Sequence, residues 1–154
     1  MSLLNSQDTV SGKEGKAFAT INGEVHELFY AVNIEATLEK IKSEVKTIGR
    51  RGTGHKSTGF SGNGSLTMNY VTSVFRKMVL DYIKTGVDTY FDLQLVNEDA
   101  SSATGKQTVV LKNCNIDSVI LGKLDADSDD HLDEEFDFTF EDADMLDEFT
   151  ELNV

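Results

Sequence analysis

At 154 residues the chain has the length of one domain with room for a sizeable core, and its net charge is −13. It contains no tryptophan, no proline where average usage gives about 8, and a single cysteine, Cys114, which excludes an intramolecular disulfide and a cysteine-based zinc site. No apolar run reaches the roughly 18 residues of a membrane span, and Met1–Val10 lacks the basic-then-apolar order of a signal peptide, so a soluble protein of a reducing compartment is expected.

Residues 1–16 are polar and carry Ser11-Gly12-Lys13-Glu14-Gly15, which reads as an arm or loop ahead of one domain over residues 17–154. Ala17–Ile21, the turn dipeptide Asn22-Gly23 and Val25–Val32 predict a β-hairpin, because Asn-Gly supplies the positive φ values of a tight turn. Leu38, Ile41, Val45 and Ile48 then recur at spacings of three and four, with Glu and Lys between them, which on pattern alone predicts a helix better than a pair of strands.

Six glycines between Gly49 and Gly64 mark a long loop or a wide hairpin passing into a strand. In that strand Leu66, Met68 and Tyr70 alternate with polar residues. Ser73 can cap a helix over about 73–85 that places Val74, Phe75, Met78, Val79, Tyr82 and Ile83 on one face and closes at Gly86. Strands follow at Tyr90–Val96, Gln107–Lys112 and Ile116–Leu124, with a polar turn at Asn97–Lys106 and a break at Asn113–Asn115. Phe136, Phe138 and Phe140 alternate strictly with Asp137, Thr139 and Glu141, so one face of that last strand must be buried. The class expected is mainly β with one flanking α-helix (α+β), an antiparallel sandwich or barrel.

The charge is segregated along the chain. Residues 125–151 hold 14 of the 27 acidic residues and no Lys or Arg, whereas residues 40–56 carry six cations against Glu44 alone. Three readings remain open on charge alone: a solvated surface, a nucleic-acid-binding segment, or self-association in which the basic region of one copy faces the acidic region of the next.

Motifs for chemistry fail on spacing or context. Asp125-x-Asp127-x-Asp129 begins like a calcium loop, but the required sixth-position Gly is Asp130 and the twelfth-position Glu is Phe136. Gly49-x-x-x-x-Gly54-His55-Lys56-Ser57 has one residue too many before the lysine for a phosphate-binding loop. His26, His55 and His131 lack ligand spacing, and Cys114 sits where a buried thiol is expected. Neither an enzyme nor a cofactor is indicated.

Several segments together resemble a known pattern: Ser11-Gly12-Lys13-Glu14-Gly15 with Thr20-Ile21-Asn22-Gly23-Glu24, Thr53-Gly54-His55-Lys56-Ser57-Thr58-Gly59-Phe60 with Gly62-Asn63-Gly64-Ser65-Leu66-Thr67, then Tyr90-Phe91-Asp92, Asn97-Glu98-Asp99, Gly105-Lys106-Gln107-Thr108-Val109 and Phe138-Thr139-Phe140-Glu141-Asp142. In order and spacing they resemble the tail tube proteins of contractile phage tails, of the type found in the defective prophage PBSX. Ala100 and Phe60 depart from the Pro and Trp of that pattern.

The resemblance implies a β-sandwich-like or barrel-like subunit of hexameric rings stacked into a tube, with inner strands of neighbours joined into one barrel. It implies tail sheath, tape-measure and baseplate proteins as partners and transient, non-specific DNA contact in the bore, without membrane insertion. Assembly would take place in the bacterial host cytoplasm, and the product would lie in the tail of a virion or phage-like particle. The alternatives are the tube or effector-carrier of a type VI-like secretion machine and a nucleic-acid-binding module. Under the resemblance residues 37–48 are strand, against their periodicity. Candidate contacts between subunits are Arg50, Arg51, His55, Lys56 and Phe60 of the basic, Gly-rich stretch, and Asp129 and Asp130 of the acidic one.

Overall fold

The computed structural model describes residues 4–127 and 130–152. Within them lie β1 (Gly15–Ile21), β2 (Glu24–Glu27), β3 (Ala31–Val45), β4 (Gly54–Asn69), α1 (Val74–Thr85), β5 (Phe91–Glu98), β6 (Lys106–Ile116), β7 (Asp133–Phe140) and β8 (Asp142–Asp147). Every pairing of strands is antiparallel, in the order β2-β1-β5-β6-β7-β4-β3, with β8 on β6. The fold is therefore mainly antiparallel β with one α-helix among the described residues, as the alternating apolar runs predict.

β6 bridges the two halves of the sheet. Thr108–Lys112 pair with β8, whereas Asn115 and Ile116 pair with Thr139 and Phe138 of β7. One core results, with Ala17, Ala19, Leu93 and Leu111 from one half and Leu66, Met68, Phe136 and Phe138 from the other. The helix adds Phe75, whose ring lies 5.8 Å from Phe91 and 4.9 Å from Phe136, and Met78. Buried residues alternate along β7 as the three phenylalanines require.

The β1–β2 turn is built as its sequence dictates, with Asn22 at φ 52° and Gly23 at φ 83°. Its second strand is shorter than predicted and stops at Glu27 rather than Val32. The Leu28 N–H donates to Ala17 O and the Ala31 N–H to Leu28 O, a turn that releases the chain from β1 and sends it to pair with β4. Helix α1 ends at Gly86 in the left-handed region (φ 77°), but Ser73 makes no side-chain cap; the Val74 N–H donates to the Thr72 hydroxyl instead.

Residues 37–45 are strand, as the resemblance implies and against their periodicity, whereas 46–48 are neither strand nor helix. Leu38 lies opposite Gly62 and Ile41 opposite Gly59, so side chains alternate between two faces: Leu38 shares a face with Ile34 and Ala36, while Ile41 and Val45 fall on the other. The helical spacing arises from two strand faces read as one stripe. A long hydrogen-bonded partner strand overrides local propensity here.

Two further expectations are corrected. The break at 113–115 is a bulge inside a continuous β6, with Asn113 at φ 54° and a register shift opposite Phe91–Leu93. The predicted strand at Ile116–Leu124 ends where it begins: the Asp117 N–H still reaches Asp137 O, but residues 117–124 form no strand. Leu121 and Leu124 meet no core, and Leu124 is fully exposed. Strand β8 was not foreseen from its acidic sequence; Lys112 and Lys106 hold it by ion pairs to Asp144 and Asp147.

Candidate assembly surface

β3 and β4 form a long hairpin whose proximal half belongs to the core. β7 pairs with β4 only from Asn69 to Gly62, where Phe140 ends the ladder. Beyond that point Gly54–Ser61 pairs, among the described residues, with β3 alone, because the chain after Phe140 turns away to run along β6. The distal hairpin therefore projects past the core.

Side chains on the core-facing side continue outward without a core to cover them. Leu38 and Phe60 are each 49% exposed, and Phe60 lies opposite Lys40. A bulge at Thr58, whose hydroxyl donates to Ile41 O, separates this apolar pair from the polar tip. On the other face Ile41 and Val45 are also exposed.

Five of the seven sequence-predicted contact residues gather on this hairpin. Arg50 and Arg51 sit in the connecting turn, the guanidinium of Arg50 folded back over Gly54. His55 lies opposite Glu44 and Lys56 opposite Ser43 at the start of β4, and all four are exposed. Asp130 is exposed in the connection entering β7 at Asp133, whose partner is Asn69 at the opposite end of β4. At about 3.3 Å per residue the 16-residue β4 separates these two ends by roughly 50 Å, so the basic tip and this acidic segment do not meet within one copy. Asp129 lies outside the described residues.

Sequence reasoning missed Leu38, Ile41 and Val45 as surface residues, because in a helix they would have formed a buried stripe. Tyr82 and Ile83, which it placed on one helix face with Phe75 and Met78, are exposed.

The buried polar groups hold elements together. Arg76 pairs with Glu134, donates to Thr72 O and lies 4.4 Å from the ring centroid of Tyr70, tying the first turn of α1 to β7. Burial pushes the Glu134 carboxyl up, and the Arg76 guanidinium pulls it partly back. Asp99 accepts from the Ser101 hydroxyl and from the backbone N–H groups of Ser11 and Ser101, which together hold its carboxyl below the usual range and anchor the chain ahead of β1. Burial raises the Cys114 thiol to about 12, the state of an inert core residue. Among the described residues no group of three or more His, Cys, Asp or Glu is placed to hold a metal ion. Asp125 and Asp127 form an acidic turn, the Asp127 N–H donating to the Asp125 carboxylate.

A family model described as phage tail tube protein matches residues 2–147. The phage-like element PBSX protein XkdM of Bacillus subtilis (strain 168) is 48% identical over 142 residues, 92% of this chain and 93% of that protein. YqbM, an uncharacterized protein of the same strain, is 49% identical over the same shares. Among solved structures the fold is similar to a chain of the anti-feeding prophage baseplate, with TM-score 0.67 and 15% identity over 95% of this chain and 97% of that one. It is also similar to the SPP1 tail tube, with TM-score 0.65 and 10% identity over 92% of this chain and 81% of that one. Both likenesses are of fold, and the kinship rests on the sequence matches. The chain belongs to the phage tail tube protein family, as a structural subunit of a phage or phage-like tail.

Proposed function

We propose that the chain polymerises with copies of itself into hexameric rings that stack head to tail as the inner tube of a contractile tail, without catalysis. The observation that carries this reading is the distal β3–β4 hairpin. Among the described residues its backbone is paired only with itself, its outer edges are open, and it presents Leu38, Phe60, Ile41 and Val45 to water. A long strand with an open edge is a template for another chain, and closing a multi-chain barrel removes such edges.

Segregated charge supports a polar assembly. Arg50, Arg51, His55 and Lys56 lie at one end of β4 and the acidic connection with Asp130 at the other. Unlike ends on one molecule give heterologous, head-to-tail contacts. In this reading the contacts of the basic tip fall on the acidic segment of the next copy, with Asp129 beside Asp130. Residues 17–154 act as one domain, and residues 1–16 as an arm.

The sheath, tape-measure and baseplate of the same tail are the further partners. The net charge of −13 disfavours adhesion of DNA passing through the bore. Assembly takes place in the bacterial host cytoplasm, before the tail joins a particle. Kinship with the PBSX protein favours a phage tail over a type VI-like secretion tube.

Negative-stain electron microscopy of the concentrated protein is the test. Rings or hollow tubes are expected; a monomer at every concentration and ionic strength, with or without a preformed baseplate, would overturn the reading.

A further inference from the structure

Resting on the self-assembly reading, we propose that the apolar side of the β3–β4 hairpin, with Phe60 as its anchor, seats in the groove between the C-terminal half of α1 and the end of β6 on a second copy of this chain. The groove is about 460 Å³ and is floored and walled by Met78, Val79, Tyr82, Ile83 and Ile116. Tyr82 is half exposed although it lies one turn beyond the buried Met78, and Ile83, further round the helix toward solvent, is 65% exposed. An aromatic anchor in a pocket surrounded by a polar rim is the usual arrangement at the centre of a protein interface.

Charge selects this groove over a second apolar opening of comparable size. Residues 38–60 carry six cations against two carboxylates, a net charge of +4. The charged residues lining the α1–β6 groove are Asp88 and Asp117, both acidic. Lys77 and Lys84 of the helix lie seven residues apart on its opposite face. The alternative opening, where β3 begins beside β1, also offers exposed apolar groups in Phe29 and Val32, but its lining includes Lys13 and Lys16 against Glu27 alone. A basic hairpin is attracted to the first and opposed at the second.

The hairpin cannot reach its own groove from the position it holds. Phe60 stands beyond Phe140, the last paired residue of β7, whereas Ile116 of the groove lies opposite Phe138, on the core side of that end. The occupant is therefore another copy, and the contact is heterologous: the hairpin on one side, the helix groove on the other.

Paired cysteine variants test this. Cys114 is buried and does not compete for oxidant. Protein carrying both Phe60→Cys and Ile83→Cys, assembled and then mildly oxidised, is expected to give a ladder of linked multimers on a non-reducing gel, because a disulfide needs Cα atoms within about 7 Å. The Phe60→Cys, Val32→Cys pair is expected to give none. Ile83→Asp, at an exposed position, is expected to keep the wild-type circular dichroism and to raise the concentration needed for tube formation at least tenfold. Tubes that form normally from Ile83→Asp, or a ladder from the Val32 pair alone, would overturn this contact while leaving self-assembly intact. Failure of the wild-type chain to form rings or tubes would overturn the assembly reading and this contact with it.

Discussion

Arg76 and Glu134 carry the most consequential polar contact inside the subunit. Glu134 is 5% exposed, and the guanidinium of Arg76 is what offsets the cost of its buried charge. Removing one partner of such a pair costs about 3 kcal/mol, most of it from the charge left behind. Arg76→Ala is therefore expected to lose about 3 kcal/mol at pH 7 by urea denaturation. The sign of the pH dependence follows from the raised Glu134. A carboxyl whose folded pKa lies above its unfolded value binds more protons in the native state, so stability falls as pH rises through that range. In the variant the carboxyl is raised further, and the deficit is expected to shrink as pH falls. Adding Glu134→Gln to Arg76→Ala is expected to recover part of the loss at pH 7; a deficit indifferent to both pH and Glu134→Gln would show that Arg76 acts through packing alone.

At the scale of elements, the β4–β7 face explains two glycines that the sequence presents only as loop formers. A Cβ on Gly64 would sit within the ring of Phe138 and 2.8 Å from the carbonyl oxygen of Glu35. The atoms nearest a Cβ on Gly62 would be those of the Phe140 ring, at 2.5 to 2.6 Å. Both rings are buried, but Phe140 ends its ladder and is a side chain that can shift, whereas at Gly64 the backbone oxygen of Glu35 stands in the way as well as the Phe138 ring. Gly64→Ala is expected to cost about 3 kcal/mol, at the upper end for overpacking, and Gly62→Ala about 1 kcal/mol. Urea midpoints compared at equal slope would check the order; equal costs would mean that both rings move freely. The same glycines let Phe138 and Phe140 lie flat against the hairpin, which fixes where the core ends and the projecting arm begins.

At the scale of the whole molecule, the proposed head-to-tail stacking depends on the separation of charge. Reversing Arg50 and Arg51 to Glu changes the tip by four charges without touching any buried group. At low salt the yield of tubes from this double variant is expected to fall at least tenfold, as measured by sedimentation. The difference from wild type is expected to narrow toward 1 M salt, where charges are screened beyond about 3 Å. An unchanged yield at low salt would remove the tip from the stacking contact. The seven candidate residues divide accordingly. Arg50, Arg51, His55, Lys56 and Phe60 share one hairpin, Asp130 enters β7 from the far end of β4, and Asp129 lies outside the described residues.

What the amino-acid order settled by itself were features with a short-range cause. Asn22-Gly23 makes its turn because of φ, Gly86 ends the helix for the same reason, and the three phenylalanines of β7 declare a buried face through period two alone. Tertiary structure decided whatever depended on a distant partner. Leu38, Ile41 and Val45 became strand because Gly54–Asn69 lies alongside to accept and donate their backbone hydrogen bonds. Ile116–Leu124 lost its predicted strand where no core remained for Leu121 and Leu124 to face. Arg50, Arg51, His55, Lys56 and Phe60 are candidate contacts from the sequence alone. That they stand on a hairpin projecting past the core follows only from β7 stopping at Phe140, since backbone polar groups and apolar side chains are open to another chain where the subunit's own pairing ends.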